Sequence, residues 1–179
     1  TDEENEFFDV LIFARRDLVT STIPSYIKRI GTSAFENCVK LQTIEFPSES
    51  KLEIIDENAF GCSSIESIKI PSNVTLINKY AFDNCAQLLK VEFPTDSKLQ
   101  IIGKEAFSKS SIESILIPSN VTQICECAFS YCSQLREIKI DSNSQLKTIE
   151  KGAFFKSSIE SISIPSHVTK ICGYAFYQC

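Results

Sequence analysis

Residues 63–85 read SSIESIKIPSNVTLINKYAFDNC, residues 110–132 read SSIESILIPSNVTQICECAFSYC, and residues 157–179 read SSIESISIPSHVTKICGYAFYQC. These three stretches are one unit that recurs every 47 residues. Longer copies lie between them, so that the pair Ala-Phe recurs at alternating steps of 25 and 22 residues. The pairs are Ala34-Phe35, Ala59-Phe60, Ala81-Phe82, Ala106-Phe107, Ala128-Phe129, Ala153-Phe154 and Ala175-Phe176. Because a unit this small cannot bury its apolar face alone, the period predicts an array of copies stacked on one another.

Each unit opens with the pattern apolar-x-x-apolar-x-apolar, in which the last three positions alternate. Such alternation is typical of a half-buried strand, and a proline ends most copies by removing an amide donor. A second short apolar segment follows, such as Leu99–Ile102, and then a turn and Ala-Phe, whose Phe we expect in the core. The predicted strands are Leu18–Ile23, Leu41–Phe46, Ile65–Ile70, Leu88–Phe93, Ile112–Ile117, Leu135–Ile140 and Ile159–Ile164. Strands that all point one way, joined by return segments, predict a right-handed coil with a parallel sheet.

The whole chain, residues 1–179, is interpreted as a single array of about seven coils and as a fragment of a longer protein. Residues 1–17 are interpreted as a degenerate first repeat, because Phe13 lies 22 residues before Phe35 and would occupy a Phe position. The formal net charge of −5 argues against a nucleic-acid partner, which requires a basic face. The sequence contains neither a recognisable signal peptide nor an apolar run of the ~18 residues that a membrane-spanning helix needs.

The repeated pattern, apolar-x-x-I-x-I-P-x-x-V-x-x-I-x-x-x-A-F-x-x-C, resembles the BspA-like subfamily of leucine-rich repeats. Residues 65–85, 112–132 and 159–179 match it, and the resemblance extends from about Leu18 to the end of the chain. The longer copies depart from the pattern. A segment such as Ser48-Glu49-Ser50 replaces their Asn-Val turn, and they lose the cysteine, near whose place stand Lys109 and Lys156.

The resemblance implies a right-handed, curved leucine-rich-repeat solenoid with a parallel β-sheet on its concave face. Short second strands and helical turns would form the convex side. It further implies a protein-binding module on a cell-surface or secreted, adhesin-like protein that contacts extracellular-matrix or host-cell proteins. An intracellular protein–protein interaction scaffold is the alternative. The family pattern carries no catalytic residue, so no enzyme activity is expected.

The eight cysteines invite a disulfide interpretation, but repeat geometry argues against most pairings. Equivalent positions two coils apart are separated by about 10 Å, beyond the ~7 Å limit between bridged Cα atoms. Cys62 lies one coil from Cys38 and from Cys85 and is therefore the best candidate for a bridge. Most cysteines are interpreted as reduced, buried thiols. The equivalent positions two coils apart are Cys38, Cys85, Cys132 and Cys179, and likewise Cys125 and Cys172.

Metal and acid–base chemistry find little support in the sequence. Cys125, Cys127 and Cys132 lack the spacing and the fourth ligand of a zinc site, so no metal and no cofactor is predicted. The single histidine, His167, falls in the turn after a strand, with no nucleophile or carboxylate in register. The sequence contains only five glycines, which argues against a phosphate-binding loop. No small-molecule substrate is expected.

Candidate binding residues lie on the exposed side of the predicted concave sheet, in two columns. The centre column reads Thr22, Glu45, Lys69, Glu92, Leu116, Lys139 and Ser163. The second column, toward the start of each strand, reads Val19, Gln42, Glu66, Leu89, Glu113, Arg136 and Glu160. Opposite charges on neighbouring strands contribute about 0.2–1 kcal/mol per pair. The columns therefore either only stabilise the sheet or form a mixed-charge docking surface for a protein ligand.

Two further expectations concern modification and assembly. Asn73 and Asn120 each open an Asn-Val-Thr triplet and would accept N-glycosylation if the chain enters a secretory pathway. The chain stops within a repeat, so the final coil is expected to expose a strand edge and apolar side chains such as Ile164 and Phe176. Exposed edges recruit other chains, which predicts end-to-end self-association of this fragment.

Overall fold

The structure, a computed structural model, describes residues 9–179 as a parallel-strand solenoid of about seven turns, here called coils. Fifteen strands in the described residues form two faces. The concave sheet contains β2 (Thr20–Thr22), β4 (Thr43–Glu45), β6 (Ser67–Lys69), β8 (Lys90–Glu92), β10 (Ser114–Ile117), β12 (Glu137–Ile140) and β14 (Ser161–Ile162). The second sheet contains β1 (Val10–Leu11), β3 (Arg29–Ile30), β5 (Ile54–Ile55), β7 (Leu76–Ile77), β9 (Ile101–Ile102), β11 (Gln123–Ile124), β13 (Thr148–Ile149) and β15 (Lys170–Ile171). The strands of the concave sheet lie within the predicted segments, β9 lies within the predicted second segment Leu99–Ile102, and all pairings are parallel, as predicted; β1 was not predicted.

The concave sheet runs in sequence order in two parts, β2 to β8 and β10 to β14. The amide of Glu113 donates to the carbonyl of Leu89 at 3.3 Å, so backbone hydrogen bonding continues across the junction. In the interior strands the central residue, for example Ile68 or Ile115, is buried, and its neighbours on either side face solvent; the corresponding Ser21 of β2 and Ile162 of β14 are half-buried. The period-2 pattern of the sequence therefore sets which residues the concave face presents.

The Ala-Phe pairs form the core behind the strands, as predicted. Their rings stack from coil to coil with centroids 5.0–5.4 Å apart and planes within 10° of parallel. The stack contains Phe35, Phe60, Phe82, Phe107, Phe129, Phe154 and Phe176. All but the last are fully buried. The alternating steps of 25 and 22 residues are thus one coil each, and the extra residues of the longer coils are absorbed elsewhere in the turn.

The prediction of helical turns on the convex side is wrong for the described residues, which contain no helix. The segment around each Ala-Phe pair consists of overlapping turns, such as those closed by Ala34 N to Gly31 O and by Cys38 N to Phe35 O. The amides between them bond to the next coil, as Phe35 N does to the carbonyl of Ala59 at 2.7 Å. Because alternate amides point along the solenoid axis, they cannot make the bonds within one segment that a helix requires.

Two columns in these turns hold the left-handed backbone conformation that interrupts any helix. One column contains Ser33, Asn58, Tyr80, Glu105, Cys127, Gly152 and Tyr174. The other contains Asn37, Cys62, Asn84, Lys109, Tyr131, Lys156 and Gln178. All have φ between 51° and 63°, although only one of them is glycine. Hydrogen bonding between coils therefore imposes a conformation that most of these side chains disfavour.

The prediction that Phe13 occupies a Phe position is wrong. Its side chain is 65% exposed, and Ala14 is buried in its place. The amide of Ala14 donates to Ala34 O, as the amide of Phe35 donates to Ala59 O, so Ala14 is the structural equivalent of Phe35. The reason is a shorter first coil: Leu11 pairs with Ile30, only 19 residues on. Of the predicted degenerate repeat at residues 1–17, residues 1–8 lie outside the described part of the chain.

Candidate protein-binding face

The structure places the centre column in the predicted register. Thr22 lies opposite Glu45, Lys69 opposite Glu92, and Leu116 opposite Lys139. These side chains project from the exposed side of the concave sheet, between buried residues of the same strands. The column is thus a continuous exposed row across the solenoid.

The charges of the centre column pair around Glu92. Lys69 Nζ lies 3.6 Å from a Glu92 carboxylate oxygen, and Lys90 contacts the other oxygen of the same carboxylate. The hydrogen bond from Lys90 lowers the pKa of Glu92, and the charges of Lys90 and Lys69 add to this effect. Glu45 instead accepts a hydrogen bond of 3.4 Å from Thr22 Oγ1. Of the two ion pairs that the sequence suggested in this column, the structure therefore forms Lys69–Glu92 but not Glu45–Lys69.

The second column forms an unbroken ladder of backbone hydrogen bonds. Each amide donates to the carbonyl of the equivalent residue one coil earlier, at distances of 2.8–3.3 Å. The ladder runs through Val19, Gln42, Glu66, Leu89, Glu113, Arg136 and Glu160. Toward its end, Arg136 pairs with Glu160 at 3.0 Å. The described residues provide no cationic partner within ion-pair distance for Glu66 or Glu113.

Exposed apolar side chains interrupt both columns. Leu116 is 46% exposed in the centre column, and Leu89 and Val19 are each 49% exposed in the second column. Near Val19, a shallow depression at the edge of the concave sheet also includes Val39, which is 66% exposed, and Glu66. The face therefore combines apolar side chains with charges of both signs, a composition suited to contact with a protein.

Sequence reasoning missed a third exposed column. It reads Thr20, Thr43, Ser67, Lys90, Ser114, Glu137 and Ser161. Lys90 contacts Glu92, and Glu137 pairs with Lys139 at 3.2 Å, so this column neutralises part of the centre column. The signal was present in the sequence, because this position is polar in every copy.

The side chains at both predicted glycosylation sites donate hydrogen bonds to the preceding coil. The Asn73 side-chain amide donates to the carbonyl of Ser50 at 3.0 Å, and that of Asn120 donates to the carbonyl of Ser97 at 2.7 Å. Both asparagines are half-buried. The sequon nitrogen therefore ties each coil to the preceding one, and a glycan would require the side chain to leave that bond. Their modification stays a prediction.

The cysteine column alternates with serine, which sequence alignment overlooked. Ser63, Ser110 and Ser157 occupy the cysteine position in the longer coils, and Lys109 and Lys156 stand one residue earlier. Each sulfur from Cys85 onward lies 3.4–3.6 Å from the serine hydroxyl of the preceding coil and donates to a Phe carbonyl at 3.0–3.1 Å. The column reads Cys38, Ser63, Cys85, Ser110, Cys132, Ser157 and Cys179.

The cysteines show no arrangement for redox or metal chemistry in the described residues. None of the eight is in a disulfide, and Cys62 belongs to a left-handed turn column rather than to the Cys–Ser column. Burial raises the pKa of Cys85 to about 12 and that of Cys132 to about 11. Residues 9–179 contain no group of three or more side chains placed to hold a metal ion. His167 lies in a turn, as predicted, and is exposed. That most cysteines are reduced in solution stays a prediction.

The chain matches a known family over its full described length. The profile of the BspA type Leucine rich repeat region (6 copies) matches residues 9–97 and again residues 53–179. No curated protein gives a significant match. Among the residues that the structure describes, no helix is long and apolar enough to span a membrane.

Solved structures of bacterial leucine-rich repeat proteins share the fold. One from Eubacterium ventriosum is 22% identical with a TM-score of 0.78, over 95% of this chain and 46% of its own. The T. pallidum Leucine Rich Repeat protein is 32% identical with a TM-score of 0.61, over 68% of this chain and 56% of its own. The pneumococcal vaccine antigen PcpA is 20% identical with a TM-score of 0.50, over 86% of this chain and 58% of its own. The chain thus spans about half the length of these proteins, and it belongs to the BspA-type leucine-rich repeat family.

Proposed function

We propose that this chain is a protein-binding module that contacts its ligand through the concave sheet. The observation that carries the proposal is the exposed face of seven parallel strands, on which Leu89 and Leu116 stand among charges of both signs. Interfaces of this kind combine apolar anchors with a polar surround. Stability alone does not explain the two leucines, because an exposed leucine buries little surface on folding.

The partner that this proposal favours is an extracellular-matrix or host-cell protein, bound by an adhesin-like, cell-surface or secreted protein. Membership of the BspA-type family supports this reading. An intracellular interaction scaffold that uses the same face is the second candidate. A net charge of −5 disfavours nucleic acid, and the family pattern provides neither a catalytic set nor a cofactor site.

Binding of the 179-residue chain to immobilised fibronectin, fibrinogen, laminin and collagen tests the proposal by surface plasmon resonance. The concave sheet is blocked with Ser67→Arg and Ser114→Arg, both at exposed positions of its third column. The matched control, Gln100→Arg with Gln145→Arg, adds the same charge at exposed positions next to the second sheet. We expect at least one matrix protein to bind the parent chain and the control but not the blocked variant.

Two results would contradict the proposal. If the control and the blocked variant lose binding equally, the added positive charge causes the loss and the concave face is not the binding site. If no matrix protein binds the parent chain, the extracellular reading is rejected and the scaffold reading is favoured. Glycan on Asn73 or Asn120 in the natural host would separate the same two readings, because N-glycosylation requires a secretory pathway.

A further inference from the structure

The centre of the concave face carries an apolar side chain between two carboxylates that make no ion pair with any residue the structure describes. Glu66, Leu89 and Glu113 occupy consecutive coils of the second column, joined by the backbone bonds Leu89 N to Glu66 O and Glu113 N to Leu89 O. Neighbouring strands lie about 4.8 Å apart, so the two carboxylate-bearing residues flank the leucine at roughly 10 Å from one another. All three side chains are exposed.

The cations on the strands of the concave sheet pair with other carboxylates. Lys69 and Lys90 both contact Glu92, and the hydrogen bond from Lys90 is the largest cause of the lowered pKa of Glu92. Arg136, which follows Glu113 in the same column, pairs instead with Glu160 at 3.0 Å. Within residues 9–179, Glu66 and Glu113 therefore make no ion pair, although four basic residues lie on this sheet and Lys40 lines the same depression as Glu66.

We propose that this site binds a basic segment of a protein partner, with an arginine or lysine between Glu66 and Glu113 and its aliphatic stem on Leu89. Arginine and lysine side chains suit it because they lay an apolar stem along apolar surface and keep the charge in water. A neighbouring apolar residue of the partner would contact Leu116 or the depression that contains Val19 and Val39. This inference rests on the proposed function, since it names the partner chemistry of the same face.

Synthetic peptides labelled with fluorescein provide the probes. One alternates leucine and arginine, a second alternates leucine and glutamate, and a third alternates serine and arginine. Fluorescence anisotropy reports binding to the parent chain at roughly 50 and 150 mM NaCl, a range over which exposed charge pairs weaken measurably. We expect the leucine–arginine peptide to bind most tightly, with an affinity that falls as salt rises.

Variants locate the site. Glu66→Gln with Glu113→Gln is expected to weaken the leucine–arginine peptide about 2- to 30-fold, from two exposed charge pairs. Leu89→Ser is expected to weaken it about 3- to 10-fold by removing the apolar contact. The control for charge, Glu36→Gln with Glu53→Gln, makes the same change in net charge away from the concave sheet. The control for apolar surface, Ile12→Ser, removes an exposed apolar side chain that also lies away from the concave sheet. Both controls should bind like the parent chain.

The outcomes separate this inference from the proposed function. Equal binding of the acidic and basic peptides, equal loss in the control variants, or no peptide binding at all would overturn it. If blocking the concave face abolishes matrix-protein binding while Glu66→Gln with Glu113→Gln does not affect it, the basic-partner inference is rejected and the concave binding face stands.

Discussion

The stack of Phe rings predicts that an interior ring stabilises the solenoid more than an end ring of equal burial. Phe107 and Phe35 are both fully buried. Phe107 stacks on two neighbours, at 5.1 and 5.2 Å, whereas Phe35 stacks on one, at 5.0 Å. Substitution by leucine keeps an apolar side chain at each position and removes the ring contacts, so the number of stacked neighbours is the main difference between the two variants.

The expected magnitudes follow from that difference. An aromatic pair contributes about 0.5–1.5 kcal/mol beyond the surface it buries. Phe107→Leu therefore lowers the free energy of unfolding by about 1–3 kcal/mol from its two lost pairs, and Phe35→Leu by about half of that. Phe107→Ala, which also leaves a cavity, is expected to cost about 3–5 kcal/mol.

Urea unfolding followed by far-UV circular dichroism measures these differences, because ellipticity reports the strands directly. The comparison uses the shift in midpoint at unchanged slope, which indicates a change in stability without a change in the surface exposed. Phe93→Leu is the control, since this half-buried ring packs against the core but pairs with no other aromatic ring among the described residues. Equal losses for Phe107→Leu and Phe35→Leu would refute the reasoning, because burial alone would then account for the contribution of the rings.

Three further predictions concern the turns, the thiols and the last coil. Glu105→Asn is expected to raise the free energy of unfolding by about 0.5–1 kcal/mol, because asparagine tolerates the left-handed backbone and already holds this column at Asn58. Urea midpoints no higher than the parent's would contradict this. Burial raises the pKa of Cys85 from 9.0 to about 12, so the neutral thiol contributes stability that is present below pH 9 and lost as the pH rises toward 12. Over that window the free energy of unfolding of Cys85→Ser should fall less steeply than that of the parent chain, by about 1.4 kcal/mol per pH unit, and identical pH profiles would show that this thiol does not cause the loss of stability. The last coil exposes Ile171, and light scattering should show concentration-dependent association of the chain that Ile171→Lys reduces. Leu116→Lys, at an exposed apolar position in the middle of the concave sheet, should leave it unchanged, and equal association of both variants would point to a different interface.

The repeat period predicted the strands, their direction and the buried Phe column because each rests on a local pattern that recurs in register. Leu41–Phe46, for example, contains the alternation that places Ile44 inside and Glu45 outside, and β4 forms there. The candidate face was predicted from the same alternation. Its third column was missed because the strand pattern was assigned from its last three positions, and Lys90 and Glu137 precede them.

What the sequence by itself determined is thus the path of the chain: the number of coils, the face that each strand presents and the residues at the core. The pattern suffices there because burial and strand alternation depend on neighbours along the chain. The contacts between coils were decided only by the tertiary structure. They include the pairing of Lys69 with Glu92 rather than with Glu45, the replacement of Phe13 by Ala14 in the core, and the left-handed turns in place of helix. Each depends on atoms that lie about one coil away in sequence, and a difference of two or three residues in the length of that coil changes which atoms meet.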